Sequence, residues 1–135
     1  MVRARILVAD DHKAMQERVV HLLEKQFEIL DAVSDGQALI KAALKLKPDV
    51  CLVDISMPIV DGIEAAYQLK KNGSTAKIIF LTVHEDPDFV QAALNSGAVG
   101  YVVKPRIASD LIIALKEVLA GRTFISPSLM LIGEV

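Results

Sequence analysis

Three aspartates, a threonine and a lysine are the residues of this sequence best suited to chemistry. Asp10 and Asp11 are adjacent, Asp54 closes the apolar run Val50-Cys51-Leu52-Val53, Thr82 follows Leu81, and Lys104 precedes Pro105. Carboxylates brought together repel: two unit charges ~4 Å apart cost about 4 kcal/mol at an effective dielectric of 20. They stay ionised side by side only where a cation joins them, and hard oxygen ligands with open water positions suit Mg²⁺. A metal beside a carboxylate can orient and neutralise an incoming phosphoryl group, whose transfer depends mainly on positioning and charge stabilisation. Aspartate is a nucleophile in such chemistry and forms an aspartyl phosphate. Lys104 can pair with one phosphoryl oxygen and Thr82 can donate a hydrogen bond to another. No histidine is needed as base, because the carboxylate is already ionised near neutral pH.

Each of these residues also has a plainer reading. Asp10 and Asp11 can simply cap a helix, Thr82 is ordinary at a strand end, and Lys104 can be a solvated surface lysine. Asp54 is harder to dismiss, because it projects directly from an apolar strand. What outweighs the plain readings is the place the surrounding elements give them. Residues 5–9, 27–33, 50–53, 77–81 and 100–103 read as strands, the second with a polar interruption at Asp31 that suits an edge. The third is continuous and apolar, as a central parallel strand should be.

Helical periodicity fills the gaps. Met15, Val19, Leu22 and Leu23 share a face; Ala38, Ala42 and Leu46 repeat before Lys47-Pro48; Ile63, Ala66, Tyr67 and Lys70 mark a third helix. Val90, Ala93, Leu94 and Gly97 mark a fourth, entered through Asp86-Pro87, and Leu111, Leu115, Val118 and Leu119 a fifth, ended by Gly121. Strict strand–helix alternation implies an α/β fold, a parallel sheet with helices on both faces. Ligands of such sheets bind outside the carboxyl ends of the strands. Asp10-Asp11 end the first strand, Asp54 the third, Thr82 the fourth and Lys104 the fifth, all on one rim; the second ends at Val33-Ser34 with nothing chemical.

The bulk numbers fit one domain. The chain has 135 residues, 53% hydrophobic and 24% charged, which allows a real core and argues against disorder. Fifteen basic against seventeen acidic residues give a net charge of −2, and no basic face is evident, so direct nucleic-acid binding is disfavoured. The single cysteine, Cys51, lies in an apolar run and reads as a small core side chain in a reducing cytoplasm. No signal-peptide core or membrane-spanning stretch is present. Ser126-Pro127 can start another helix. The apolar Leu129-Met130-Leu131-Ile132 that follows is either the start of a linker or a short tail packed on the last helix.

Asp10-Asp11, Asp54-Ile55-Ser56-Met57-Pro58 with Asp61-Gly62, Leu81-Thr82 and Lys104-Pro105 closely resemble the motifs of two-component response regulator receiver domains, in order and spacing from about Arg3 to Gly121. Ala9-Asp10-Asp11-His12, Val83-His84-Glu85-Asp86, Gly97 to Tyr101 and Ala120 to Pro127 are similar to the NarL/FixJ (LuxR-type) subfamily, whose receivers normally precede a helix-turn-helix DNA-binding domain. The resemblance implies a flavodoxin-like, doubly wound, five-stranded parallel sheet of order 2-1-3-4-5 with five helices. It implies a receiver over 1–121 and, over 122–135, a tail or the start of a linker to an absent output domain.

The resemblance also implies roles. Asp54 would accept a phosphoryl group from a sensor histidine kinase, in a phosphoacceptor with self-catalysed transfer and loss rather than an enzyme. Asp11 and Asp54 would bind Mg²⁺ (or Mn²⁺) by side chain, Ser56 by its backbone carbonyl, and Asp10 through water. Thr82 and Lys104 would contact the phosphoryl group, and Thr82 and Tyr101 would switch together, unless Tyr101 is a static core aromatic. Lys104-Pro105 would be a cis peptide, and Gly62 would supply backbone freedom in the turn into the third helix. Activation would change the surface from Asp88 to about Gly121. The first and fifth helices, the latter with Lys116 and Glu117 beside Leu115 and Val118, would support a homodimer. Val83 is bulkier than the family's usual small residue, and Ser56 and His84 hold variable positions, His84 otherwise reading as a plain loop histidine.

Other classes fit less well. A haloacid-dehalogenase-type phosphatase places its nucleophile near the N-terminus with a second Asp two residues on; here Ser56 stands two after Asp54. A flavin-binding module would want a phosphate-binding Ser/Thr/Gly-rich loop where this chain has Asp10-Asp11-His12-Lys13. A stand-alone receiver, acting as a phosphorelay shuttle or a protein-binding switch, is the alternative within the same fold.

Overall fold

Period-two alternation in the strands creates two apolar faces, and each must be covered by helices. A computed structural model describes residues 3–127. Its elements run β1 (Arg5–Ala9), α1 (Lys13–Leu23), β2 (Glu28–Val33), α2 (Gly36–Leu46), β3 (Val50–Val53), α3 (Gly62–Lys71), β4 (Lys77–Thr82), α4 (Pro87–Asn95), β5 (Gly100–Val103), a 3-10 turn (Lys104–Arg106), α5 (Ile107–Leu119) and β6 (Phe124–Ile125). Ile6 and Val8 face α1 and α5, with Leu52, Ile79, Leu81 and Val102 from the neighbouring strands. Leu7 and Ala9 face the other way, toward α2, α3 and α4, with Cys51, Val53, Phe80, Tyr101 and Val103. The α/β class and the doubly wound arrangement are therefore as the alternation predicts.

All strand pairs are parallel and the order is β2-β1-β3-β4-β5-β6. The sheet thus has six strands where five were expected. Phe124 and Ile125 pair with Gly100 and Tyr101, so the chain after Gly121 is drawn back onto the sheet. Ser126 completes the contact. It is wholly buried; its amide donates to the Tyr101 carbonyl, and its hydroxyl accepts from the Val103 amide and donates to Asp110. Pro127 is helical, and the expectations for Leu129 to Val135 lie outside the described residues.

Several helix faces differ from the periodic reading. In α2 the buried side chains are Leu39 and Ala43, not Ala38, Ala42 and Leu46. In α3 they are Ala65, Leu69 and the expected Ala66, while Tyr67 is 45% exposed. In α4 the expected Ala93 is the one buried residue, and Gly97 lies past the helix at φ +96°. Helices rich in alanine and leucine offer more than one apolar stripe, and the sheet selects among them. Leu115 and Val118 of α5 are core residues, so the exposed apolar side chains there are Ile113 and Leu119. Cys51 is buried as expected, which pushes its thiol up to about 12. Among the described residues no helix is long and apolar enough to cross a membrane.

Candidate functional site

The carboxyl ends of β1, β3, β4 and β5 form one rim, and backbone hydrogen bonds hold it. The Asp54 amide donates to the Ala9 carbonyl at 2.9 Å and the Asp10 amide to the Val33 carbonyl at 3.0 Å. Gln16 of α1, which the motif reading passes over, donates from its side-chain amide to the Asp10 and Val33 carbonyls and to Ser34 Oγ. The end of β2, which contributes no reactive group, is thereby fastened to the end of β1.

At this rim Asp10 and Asp54 are buried, at 2% and 4% exposure, while Asp11 is open to solvent. Lys104 crosses from β5, with Nζ 2.8 Å from Asp10 Oδ2 and 3.4 Å from Asp54 Oδ2. The contact to Asp10 is an ion pair in distance, yet Oδ2 is buried and accepts no aligned hydrogen bond. The attraction there is Coulombic. Asp10 Oδ1 accepts from the His12 amide at 2.8 Å. Burial raises the Asp54 carboxyl above the ordinary aspartate range; Lys104 opposes that rise and Asp10 adds to it.

Asp10, Asp11, His12 and Asp54 offer ligand atoms that all lie within 4.8 Å of one another. Three carboxylates against one ammonium leave the cluster two charges negative, which a single divalent cation would neutralise. The oxygen-rich donor set fits a hard divalent ion.

A second group of contacts joins the ends of β4 and β5. Thr82 is fully buried, and its Oγ1 accepts from the His84 amide at 3.1 Å. His84 Nε2 is 2.8 Å from Ser56 Oγ, and its ring stacks on Phe89 with centroids 4.2 Å apart. Tyr101 is fully buried, and its hydroxyl donates to the His84 carbonyl at 2.7 Å. Its phenol is pushed up to about 12 by burial, with Glu85 and Asp86 adding to the shift. The structure thus brings Thr82, Tyr101 and Ser56 together through His84. Val83 is 65% exposed beside them. Phe89, a partner of His84, gave no motif signal; its place follows only from the α4 N-terminus facing the β3–α3 loop.

Two expectations are corrected here. The Lys104–Pro105 peptide is trans, as there is no cis bond among the described residues. Pro105 sits in the first positions of the 3-10 turn, where a trans proline with fixed φ suits the helical bend. Gly62 is needed for close approach rather than for an unusual φ. A Cβ there would stand 2.2 Å from the Asp54 carbonyl oxygen, and the Gly62 amide donates to the Ile55 carbonyl at 2.7 Å. Asp61 caps α3 through a hydrogen bond from the Glu64 amide. Just before Asp61, Ile59 has φ +71° and the Val60 amide donates to the Pro58 carbonyl. This three-residue turn is strained for a β-branched residue.

Comparison with known proteins gives the family and the fold. The family model described as the response regulator receiver domain matches residues 6–116. The transcriptional regulatory protein DegU of Brevibacillus brevis is 36% identical over 127 residues, covering 93% of this chain and 54% of DegU. A two-component response regulator of the LuxR family from Aurantimonas superposes with a TM-score of 0.90 at 29% identity, covering 95% of this chain and 93% of that one. The receiver domain of the putative response regulator NarL of Mycobacterium tuberculosis gives 0.87 at 27% identity, covering 90% of this chain and all of that one. The chain spans 54% to 64% of the length of the curated relatives DegU, GacA and YvfU.

Proposed function

Because the chain belongs to the response regulator receiver domain family, we propose that it accepts a phosphoryl group from a sensor histidine kinase onto Asp54. The observation that carries this reading is the gathering of Asp10, Asp11 and Asp54, with the Lys104 ammonium against two of them. The Asp54 carboxylate forms a P–O bond as the P–N bond of the kinase phosphohistidine breaks, and the released imidazole nitrogen takes up a proton. Asp11 and Asp54 would hold Mg²⁺ by side chain, Ser56 by its carbonyl and Asp10 through water. The ion supplies charge neutralisation and alignment of the phosphoryl oxygens. Lys104 then exchanges its contact with Asp54 for a phosphoryl oxygen, and the Thr82 hydroxyl donates to another.

The same network supports a switch. A ligand shifts an equilibrium only by differential interaction, and a phosphoryl group on Asp54 contacts Thr82, which is tied through His84 to Tyr101. We take the inward Tyr101 as the packing that phosphorylation favours, and α4, β5 and α5 as the surface that responds. β6 covers the β5 edge beside that surface. The relatives named as transcriptional regulators support a DNA-binding output domain in the parent protein, a cytoplasmic location, and control of transcription. α1 and α5 share one face of the sheet, where a homodimer would form.

Intact-mass measurement after incubation with a phosphorylated histidine kinase and Mg²⁺ tests the assignment. One phosphoryl adduct is expected on the wild type and none on Asp54→Ala. Undiminished labelling of the variant would place the acceptor elsewhere.

A further inference from the structure

We infer that His12 supplies a nitrogen ligand to the acidic site, so that the site takes first-row transition ions between Mn²⁺ and Zn²⁺ more tightly than Mg²⁺. The inference rests on the reading of Asp11 and Asp54 as metal ligands and adds a donor that this reading does not use. His12 Nδ1 is 3.0 Å from Asp11 Oδ1 and 3.3 Å from Asp10 Oδ1. Neighbouring ligands of an octahedral ion with bonds of about 2.1 Å are separated by about 3.0 Å. The imidazole nitrogen therefore stands at the distance of an adjacent ligand position.

The backbone holds it there. His12 precedes α1 in an extended conformation, with φ −99° and ψ 110°, and its side chain makes no capping hydrogen bond to the helix. Its amide is anchored to Asp10 Oδ1, which fixes the ring's origin beside the carboxylates. The other imidazole near the rim, His84, is occupied by Ser56 Oγ and by the Phe89 ring.

Chemistry then separates the metals. Mg²⁺ prefers oxygen and dehydrates reluctantly, so it keeps a water where His12 stands and gains little from it. Imidazole suits the transition ions, whose affinities rise from Mn²⁺ toward Cu²⁺. Replacing a water by Nδ1 strengthens binding of those ions selectively. The contrary reading makes His12 a counter-ion that only offsets the carboxylate charge.

The test titrates Mg²⁺, Mn²⁺ and Ni²⁺ calorimetrically into the full chain at one fixed pH, with His12→Ala and His84→Ala beside the wild type. The His12 side chain is 72% exposed, so its removal leaves the core intact, and matching melting curves would confirm this. Ni²⁺ and Mn²⁺ are expected to bind the wild type more tightly than Mg²⁺. His12→Ala should weaken Ni²⁺ by about tenfold or more and Mg²⁺ by no more than about threefold. Pulsed electron paramagnetic resonance of the Mn²⁺-loaded protein should show nitrogen coupling in the wild type and His84→Ala, and none in His12→Ala. Nitrogen coupling that persists in His12→Ala, or Ni²⁺ binding equally to both proteins, overturns the inference. Normal Mg²⁺ binding without any nitrogen coupling overturns it alone, whereas a wild type that binds none of the three ions removes the metal reading of Asp11 and Asp54 as well.

Discussion

Replacing Lys104 by methionine keeps the stem and deletes the one positive charge between two buried carboxylates. At separations of 2.8 and 3.4 Å, the gross attractions at an effective dielectric of 20 are about 6 and about 5 kcal/mol. Desolvation of the ammonium and of both carboxylates offsets much of this. The net cost of removing one partner from a buried pair is about 3–5 kcal/mol. The low exposure of Asp10 and Asp54 places this site in that regime rather than among surface pairs. Urea unfolding without metal at pH 7.5 should therefore show Lys104→Met destabilised by about 3–5 kcal/mol with an unchanged slope. Adding Asp54→Asn to Lys104→Met removes one of the repelling carboxylates and should restore at least half of the loss.

The pH dependence has a definite sign. The folded Asp54 carboxyl is raised, chiefly by burial, so the folded state binds the proton more tightly than the unfolded chain. The stability linked to that proton is present in full below the unfolded value and is lost as pH rises through the folded one. Deleting Lys104 removes an influence that lowers the Asp54 value, so the deficit of Lys104→Met should shrink on acidification as Asp54 takes up a proton. A loss below about 1 kcal/mol, the range of exposed pairs, or a double variant no better than the single, would refute the view that Lys104 is held between the two carboxylates.

Two further outcomes follow from packing. Gly62→Ala would bring a Cβ within 2.2 Å of the Asp54 carbonyl oxygen and 2.9 Å of Val53 Cγ1; overpacking of about 1–3 kcal/mol should appear in the melt, together with slower phosphorylation of the displaced Asp54. An alanine variant as stable and as reactive as the wild type would show that the loop yields freely. Ser126→Ala leaves the Val103 amide and the buried Asp110 carboxylate without their shared partner, a cost of about 1–3 kcal/mol. Faster amide exchange at Val103 and Tyr101 should accompany it, and unchanged exchange there would mean that Ser126 does not hold the edge of β5.

The order of elements was legible in the sequence because each strand is an apolar run of strand length and each gap has helical period. The reactive rim followed, since parallel strands point their carboxyl ends one way and Asp10, Asp11, Asp54, Thr82 and Lys104 all stand at such ends. The inward face of α2 was not legible, and those of α3 and α4 only in part, through Ala66 and Ala93. Gly36-Gln37-Ala38-Leu39-Ile40-Lys41-Ala42-Ala43 is apolar on several sides, and only the position of the sheet selects Leu39 and Ala43. β6 was missed because a two-residue strand has no period to detect; its strand character comes from the free edge of β5, whose Val99 and Tyr101 carbonyls accept from Phe124 and Ser126. The trans Lys104–Pro105 bond was likewise decided by the 3-10 turn that receives it. Residue types determined that acidic groups and an ammonium would meet at this rim. How deeply Asp10 and Asp54 are buried, how near Lys104 comes, and whether His12 turns toward them were decided only by packing, because Coulomb energy and desolvation depend on distances and solvent exposure that a linear sequence does not contain.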